Sequence, residues 1–246
     1  MANKFYAAGE QRADKVRDLF AAIAPRYDLI NDLQSFGLHR YWKERLLRLA
    51  CLKQGERALD VCCGTGDLAL AMAQRGAIVS GLDFSKSMLN VARQRRANAG
   101  IISNGENVVF FIRGDALRLP FSDSQFDVVT VGYGLRNLAD FRAGLAEICR
   151  VARPQGRLLV LDFGKPDNAL WRGLYFAYLR CVVPWFGRLF CGDAESYAYI
   201  WESLKQYPAQ RGVAKALEEL NCKQVRIINL MGGMMSINYA VTSHQA

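Results

Sequence analysis

Histidine, paired cysteines and long apolar runs are all scarce in this chain of 246 residues. With 2 histidines, His39 and His244, a zinc site would be hard to assemble, and we expect no bound metal. The 7 cysteines are odd in number and form no C-x-x-C pair, which favours buried thiols in a reducing compartment over disulfides. No stretch approaches the roughly 20 apolar residues of a transmembrane helix, so we do not expect the chain to span a membrane.

Acidic residues are outnumbered, because 23 Asp and Glu face 32 Lys and Arg, which gives a formal charge of +9. The excess is spread along the chain, and its one tight cluster, Arg93, Arg95 and Arg96, is most simply a solvated helix face. Spread positive charge also suits transient contact with an anionic membrane surface. We expect no nucleic-acid partner, because no helix-turn-helix, zinc-ligand or aromatic ribonucleoprotein pattern is present. Residues 1–10 lack an apolar signal core and an Arg/Ser-rich composition, which favours a cytoplasmic location.

The first fifty residues predict two helices and a loop between them. Apolar residues recur at i, i+3, i+4 and i+7 over 16–23, and Pro25 ends that run. A second helix is predicted over 41–50. The segments 27–32 and 36–40 are typical of an ordered loop.

From residue 57 short apolar runs alternate with helical stretches, which predicts a parallel sheet with helices on both faces. The predicted strands cover 58–62, 78–82, 108–113, 126–131 and 158–163, with a last pair at 225–229 and 237–242. The predicted helices cover 68–75, 86–99 and 141–152, the last two capped by Ser85 and Asp140.

Residues 166–208 interrupt this alternation and are unusually aromatic, with Trp171 and Trp201 near the two ends. One interpretation is a helical lid packed on the sheet. The other is a lid that also forms a pocket for an apolar substrate, with Arg180 and Arg188 facing lipid headgroups.

A glycine-containing loop, 60–67, follows the first predicted strand and opens a helix. Its residues Gly64, Thr65 and Gly66 allow close approach of a ligand to the backbone, and the helix N-terminus offers free N–H donors. With Ala69, the two glycines also satisfy the dinucleotide fingerprint, so this motif alone leaves a nicotinamide-dependent reductase open.

Three acidic residues, Asp60, Asp83 and Asp115, stand at the ends of three predicted strands. A carboxylate at Asp83 could accept both hydroxyls of a ribose, and Asp115 could bind an adenine amino group. For Asp83 alone, a helix-cap or turn role is an equal alternative. All three together favour a ligand at the carboxyl edge of the sheet, where open α/β sheets bind their ligands.

The sequence resembles class I S-adenosylmethionine-dependent methyltransferases, and more narrowly the ubiquinone/menaquinone biosynthesis C-methyltransferase family. The segments that carry the resemblance, besides the glycine loop, are Tyr27-Asp28-Leu29-Ile30-Asn31-Asp32, Ser35-Phe36-Gly37-Leu38-His39-Arg40-Tyr41-Trp42-Lys43, Gly132-Tyr133-Gly134-Leu135-Arg136-Asn137, Leu159-Val160-Leu161-Asp162-Phe163-Gly164-Lys165-Pro166 and Ser196-Tyr197-Ala198-Tyr199-Ile200. The resemblance implies that the cofactor is S-adenosylmethionine. It further implies that Thr65, Asp83, Asp115 and Ala116 contact this methyl donor, beside Asp60, Gly64 and Gly66 of the glycine loop.

The implied fold is Rossmann-like, a doubly wound seven-stranded sheet with N-terminal helices and a helical lid insertion. We expect a single domain over 1–246. Its parts would be an N-terminal helical cap (1–51), a donor-binding core (52–163), an aromatic lid insertion (164–207) and a C-terminal helix and strand pair (208–246).

The implied reaction is methylation of a ring carbon of a lipid-soluble polyprenylated quinol. Cys62-Cys63 and Gly132-Tyr133 resemble the cyanobacterial and chloroplast naphthoquinone branch, whereas the ubiquinone branch usually has small residues and a serine-phenylalanine pair there. The preferred substrate is therefore demethylmenaquinol or a related demethylnaphthoquinol such as demethylphylloquinol. The alternative is the 2-methoxy-6-polyprenyl-1,4-benzoquinol of ubiquinone biosynthesis. A peripheral membrane association is expected, and a homodimer is left open.

Four residues are candidates for the chemistry on the quinol. Arg136 is the first choice for stabilising a phenolate, with Asn137 orienting the ring by a hydrogen bond, although Arg136 could instead form a structural salt bridge. Tyr27 and His39 are candidates for proton handling. His39 could equally be structural, and Tyr27 could orient the quinol hydroxyl.

Two other classes of protein compete with this interpretation. A nicotinamide-dependent reductase fits the glycine loop and Asp83, but the chain has no Tyr-x-x-x-Lys pair. A methyltransferase-like subunit that binds quinones or proteins without turnover is the second alternative.

Overall fold

A computed structural model describes residues 24, 27–101, 108–185 and 195–243. Its strands are β1 Arg57–Val61, β2 Ile78–Asp83, β3 Val108–Arg113, β4 Phe126–Gly132, β5 Ala152–Phe163, β6 Lys223–Leu230 and β7 Met235–Val241. They form one seven-stranded sheet in the order β3-β2-β1-β4-β5-β7-β6. The strands β1 to β5 are parallel, and β7 runs antiparallel to both β5 and β6.

Helices cover both faces of this sheet. In chain order they are α1 Tyr27–Ser35, α2 Leu38–Ala50, α3 Asp67–Ala73, α4 Lys86–Asn98, α5 Phe141–Val151, α6 Ala169–Ala177, α7 Glu195–Gln206 and α8 Ala209–Glu219. One apolar cluster lies beneath α2, α3 and α4, and a second lies beneath α5, α7 and α8. Alternate residues of β5 point to the two clusters: Leu158 and Val160 join the second, Leu159 and Leu161 the first. The doubly wound α/β fold expected from the sequence is confirmed.

The two predicted helix caps are present. The hydroxyl of Ser85 accepts a hydrogen bond from the Met88 amide, and Asp140 accepts from the amides of Arg142 and Ala143. Each predicted strand is found within a few residues of its expected place, except that β5 begins at Ala152 rather than at residue 158.

The prediction of a loop over 27–32 is wrong, because these residues belong to helix α1. Helix α2 begins at Leu38 rather than at residue 41. Phe36 (φ 51°) and Gly37 (φ 74°) reverse the chain between the two helices. The Asp32 carboxylate accepts hydrogen bonds from Arg40, and its Oδ1 lies 2.8 Å from His39 Nε2. This tertiary pairing stabilises a helix whose Asn and Asp residues resemble a turn in sequence.

Two predictions lie outside the described residues, namely the helix over 16–23 and the headgroup contact of Arg188. Within the described residues, none of the helices combines the length and the apolar character that crossing a bilayer requires.

Candidate active site

A cavity opens at the carboxyl edge of the sheet, where β1 to β4 end. It has a volume of about 880 Å³, part of it continuous with solvent. Its wall contains Gly64 after β1, Asp83 at the end of β2, Asp115 after β3 and Gly134 after β4, while Tyr27 comes from α1. Parallel strands thus bring residues that are distant in sequence to one site.

Three residues of the glycine loop at this edge have backbone φ values in the left-handed region, which favours glycine. Gly64 and Gly66 have φ values of 54° and 85°, and Cys62 has a φ of 57°. A Cβ on Gly66 would lie 2.8 Å from the ring of Phe111, so a glycine is required there by both conformation and space. A Cβ on Gly64 would meet nothing within 4 Å, because this residue faces the open cavity.

Asp83 joins the glycine loop to the wall of the cavity. Its two oxygens accept hydrogen bonds of 2.8 Å from the amides of Gly64 and Ser85, and burial raises its pKa. A carboxylate oxygen has two lone pairs, so each can still accept a hydrogen bond from a ligand. The turn role and the ligand role considered for Asp83 are therefore compatible.

Asp115 and Ala116 line the cavity beside Asp83. Asp115 is exposed, and its Oδ1 accepts a 2.9 Å hydrogen bond from the Leu117 amide, while Ala116 is buried. Four of the predicted donor-binding residues are thus brought together in one wall: Gly64, Asp83, Asp115 and Ala116.

The other three, Asp60, Thr65 and Gly66, lie behind this wall. Asp60 is buried, accepts a 2.8 Å hydrogen bond from the Thr130 hydroxyl, and has its pKa raised to about 7 by burial. Thr65 is buried and accepts a 3.1 Å hydrogen bond from Arg95, which also pairs with Asp67. The Asp60–Thr130 and Thr65–Arg95 hydrogen bonds therefore hold the glycine loop in place from outside the cavity.

Arg136 is buried behind the cavity and forms an ion pair with Asp162. Its Nη1 lies 3.3 Å from Asp162 Oδ1, and its guanidinium stacks 4.6 Å from the centre of the Phe163 ring. This is the salt bridge that the sequence left open as an alternative. Any effect of Arg136 on a bound phenol would act through a charge already shared with Asp162.

Asn137 lines the cavity and has both ends of its amide engaged. Its Nδ2 donates to the Tyr133 carbonyl at 3.2 Å, and its Oδ1 accepts a 2.7 Å hydrogen bond from the Tyr199 hydroxyl of α7. Arg136 also donates to the Tyr133 carbonyl, at 2.5 Å. Together these contacts fix the loop after β4 against the lid.

His39 does not belong to the cavity wall. It is buried between α1 and α2, with Nε2 2.8 Å from Asp32, and burial together with the nearby Lys43 ammonium lowers its pKa. This position fits the structural alternative, since the imidazole joins two helices. Tyr27, in contrast, does line the cavity.

Sequence reasoning did not identify Tyr133 as a site residue. It lines the cavity, and its backbone φ is 60°. Its buried hydroxyl has no hydrogen-bond partner among the described residues. Burial raises its pKa well above the usual value, so the phenol stays protonated. The ring lies between the Phe163 ring, 6.0 Å away, and Lys43 Nζ, 5.8 Å away. The available signal was the unusual Gly132-Tyr133 pair.

Solved structures of other proteins share the fold of this chain. A SAM-dependent methyltransferase from Aquifex aeolicus superposes with a TM-score of 0.60 at 19% identity, covering 87% of this chain and 97% of that one. The phosphoethanolamine N-methyltransferase 2 of Haemonchus contortus, solved with S-adenosylhomocysteine, gives 0.63 at 15% identity over 83% of this chain and 53% of its own. The [4+2]-cyclase SpnF gives 0.62 at 16% identity over 98% and 99%. The fold is that of class I SAM-dependent methyltransferases, although SpnF shows that this fold also serves other chemistry.

Sequence comparison gives the family. The model of the ubiE/COQ5 methyltransferase family matches residues 7–242. Ubiquinone/menaquinone biosynthesis C-methyltransferase UbiE of Azotobacter vinelandii is 39% identical over 232 residues, covering 93% of this chain and 90% of that protein. UbiE of Stutzerimonas stutzeri is 38% identical over 235 residues, covering 94% and 90%. The chain belongs to the ubiE/COQ5 methyltransferase family. It is a methyltransferase that uses S-adenosylmethionine, as the sequence resemblance implied.

Proposed function

We propose that this enzyme transfers a methyl group to a ring carbon of a polyprenylated quinol in ubiquinone or menaquinone biosynthesis. The observation that carries the proposal is the composition of the cavity wall at the carboxyl edge of the sheet. The carboxylates of Asp83 and Asp115, a glycine turn and the two phenols of Tyr27 and Tyr133 line the same cavity. The preferred substrate is demethylmenaquinol or a related demethylnaphthoquinol, and the benzoquinol of ubiquinone biosynthesis is the alternative.

The methyl donor fits the part of the cavity wall that Asp83 and Asp115 form. Asp83 retains acceptor capacity for ribose hydroxyls, and the exposed carboxylate of Asp115 can accept from an adenine amino group. The open space in front of Gly64 allows a ligand to approach the backbone. When bound, S-adenosylmethionine supplies an electrophilic methyl group on a cationic sulfur.

Carbon methylation requires an electron-rich ring, so the quinol should react as its phenolate. A phenol of pKa about 10 resists ionisation at pH 7 by roughly 4 kcal/mol. We propose that the Tyr133 side chain moves its protonated, buried hydroxyl into the cavity when the quinol binds and donates a hydrogen bond to the quinol oxygen, and that Tyr27 orients the same oxygen. Arg136 and Asn137 act as positioning residues, because both hold the Tyr133 carbonyl.

We further propose that the enzyme takes its substrate at a membrane surface. The lid exposes Leu170 by 76% and Trp185 by 58%, and Phe36 between α1 and α2 is exposed by 74%. Lid and N-terminal helices are neighbours, because the Tyr178 hydroxyl donates to the Gln34 carbonyl at 3.0 Å. The described lid residues 164–185 and 195–207 would then border the entrance for the polyprenyl tail.

Transfer of labelled methyl groups tests the proposal. The purified enzyme is incubated with labelled S-adenosylmethionine and either demethylnaphthoquinol or 2-methoxy-6-polyprenyl-1,4-benzoquinol, each kept reduced. We expect label in the naphthoquinol, and faster labelling of the benzoquinol would select the alternative substrate.

A binding control separates the competing classes of protein. Fluorescence titration with reduced nicotinamide cofactor should give no saturable signal, whereas S-adenosylhomocysteine should bind. Donor binding with no label in either quinol would overturn the proposed reaction and favour a subunit that binds without turnover.

A further inference from the structure

Two neighbouring thiols lie at the edge of the sheet opposite to the cavity proposed for the methyl donor. The sulfur atoms of Cys149 and Cys222 are 3.6 Å apart. Cys149 is in the last turn of α5, just before β5, and Cys222 immediately precedes β6. Since β5 and β6 both run antiparallel to β7, they share a direction, and both cysteines lie near the amino ends of these strands. The donor cavity is at the opposite, carboxyl edge.

A second cavity gives solvent access to this pair. It has a volume of about 620 Å³, part of it open to solvent, and both cysteines line it together with Ser124 and Thr242. Cys149 is partly exposed, while Cys222 is buried. A small reagent can therefore reach the pair from this cavity, on the side where Cys149 is partly exposed.

The separation of the sulfurs is small enough for a covalent bond. A disulfide has an S–S distance of about 2.05 Å, so the two atoms must approach by roughly 1.5 Å. Cys222 stands at the start of β6, a strand at the edge of the sheet, next to Asn221 with a φ of 61°. A rotation of one side chain with a small shift of this strand end would bring the sulfurs together.

The two thiols also differ in acidity. The contact with Cys149 lowers the pKa of Cys222, and the same contact together with burial raises the pKa of Cys149. Because the thiolate is the reactive form, Cys222 is the expected first nucleophile.

We propose that Cys149 and Cys222 form a reversible oxidation site, a dithiol that a peroxide converts into an intramolecular disulfide. The Cys222 thiolate attacks one peroxide oxygen, the O–O bond breaks, and the leaving hydroxide takes up the proton that the thiol had released, which gives a sulfenic acid and one water. The Cys149 sulfur then attacks the Cys222 sulfur, the S–O bond breaks, and a second water leaves with the Cys149 proton. The two sulfurs lose two electrons in total, and the peroxide gains them.

Peptide mapping of the full chain tests this proposal independently of the methyltransferase reaction. The reduced protein is treated with a few equivalents of hydrogen peroxide, alkylated with iodoacetamide and digested without reductant. We expect a peptide pair joined through Cys149 and Cys222, two hydrogens lighter than the reduced pair and separated again by dithiothreitol. Formation should be about tenfold or more faster in the folded chain than in urea, because unfolding separates the thiols.

Serine variants supply the matched controls. The linked peptide should be absent from Cys149→Ser and Cys222→Ser and should persist in Cys51→Ser, which removes an exposed thiol elsewhere. Circular dichroism checks that each variant is folded, and the wild-type map decides even where one is not. The proposal is overturned if both cysteines are recovered alkylated after the exposed Cys51 and Cys181 have been oxidised, or if the folded chain gains no rate advantage over urea.

Discussion

Buried carboxylates at the strand ends have two different environments. Asp83 accepts two backbone hydrogen bonds and lines the cavity, whereas Asp60 lies below the glycine loop and interacts with Thr130. Both pKa values are raised by burial, and that of Asp60 reaches about 7. The same residue type thus lines the cavity in one place and supports the fold in the other.

Asp60 should make the stability of the fold depend on pH. An unfolded aspartate has a pKa near 3.9, so between about pH 4 and pH 7 the folded chain binds more protons than the unfolded one. The unfolding free energy of the wild type relative to Asp60→Asn should therefore fall by on the order of 2 kcal/mol from pH 5 to pH 8, with most of the change below pH 7. Urea unfolding at several pH values measures it.

Thr130→Val provides the control, because it removes a hydrogen bond that favours the ionised form of Asp60. In that variant the fall in stability should continue to higher pH. Parallel pH profiles for the wild type and Asp60→Asn would contradict the assignment.

Tyr133→Phe removes only the hydroxyl that we propose to contact the quinol oxygen. Because a hydrogen bond to a charged oxygen contributes about 1.5–3 kcal/mol, kcat/KM for the quinol should fall roughly tenfold to a hundredfold. The affinity for S-adenosylhomocysteine should be unchanged within about twofold. Radiometric turnover and calorimetry measure the two quantities. Tyr239→Phe, on β7, is the matched control, and an equal loss in both variants would remove Tyr133 from the site.

At the scale of elements, the turn between β1 and α3 contains two glycines with separate physical roles. Gly66 is packed against Phe111, whereas Gly64 faces the cavity. Both have positive φ, so each alanine variant should lose about 1–2 kcal/mol of stability from backbone strain.

Gly66→Ala adds a clash with the Phe111 ring and should be the less stable of the two variants. Gly64→Ala places its methyl group in the cavity and should weaken S-adenosylhomocysteine binding more, by tenfold or more, relative to its smaller stability loss. Thermal unfolding and calorimetry give the two rankings. If Gly64→Ala proves the less stable protein while binding normally, the cavity assignment of this turn is wrong.

The lid is attached to the rest of the molecule by polar contacts as well as by packing. Tyr199 of α7 donates to Asn137, and the Trp171 Nε1 of α6 donates to the Met231 carbonyl at 3.0 Å. The aromatic residues of this segment therefore do not act only as an apolar layer. The Tyr199 hydroxyl fixes the lid to the loop after β4, and the Trp171 indole fixes it to the turn between β6 and β7.

At the scale of the whole molecule, a formal charge of +9 combines with apolar side chains exposed on the lid. Leu170 and Leu174 are one turn apart on α6, exposed by 76% and 56%, and Arg180 nearby is also exposed. We expect binding to vesicles that contain anionic lipid, weakened by salt because surface charges are screened.

The double variant Leu170→Ser/Leu174→Ser should reduce vesicle binding about tenfold or more, since each leucine loses apolar area that the lipid would bury. Sedimentation with vesicles at low and high salt measures the effect. Ile227→Ser, on the edge strand β6, is the matched control. If the control loses as much binding as the double variant, the lid is not the membrane-facing surface.

Much of the fold, and several residues of the cavity wall, could be predicted from local sequence patterns. The strand β3, the caps Ser85 and Asp140, and the position of Asp83 and Asp115 at the carboxyl edge of the sheet could be predicted because strand ends, turns and caps have short-range signals. The helix α1 could not, because its stability depends on Asp32 contacting Arg40, eight residues away. The phenol of Tyr133 was missed because nothing in a single sequence shows that its hydroxyl is buried without a hydrogen-bond partner among the described residues.

The sequence by itself determined the α/β class, the glycine turn and the family, since these depend on periodicity and on short motifs. Tertiary structure alone decided that Arg136 is paired with Asp162, that His39 joins two helices, and that Cys149 lies beside Cys222. The physical reason is range. Backbone propensity acts over a few residues, whereas ion pairs, burial and thiol contacts join residues that are adjacent only after the chain has folded.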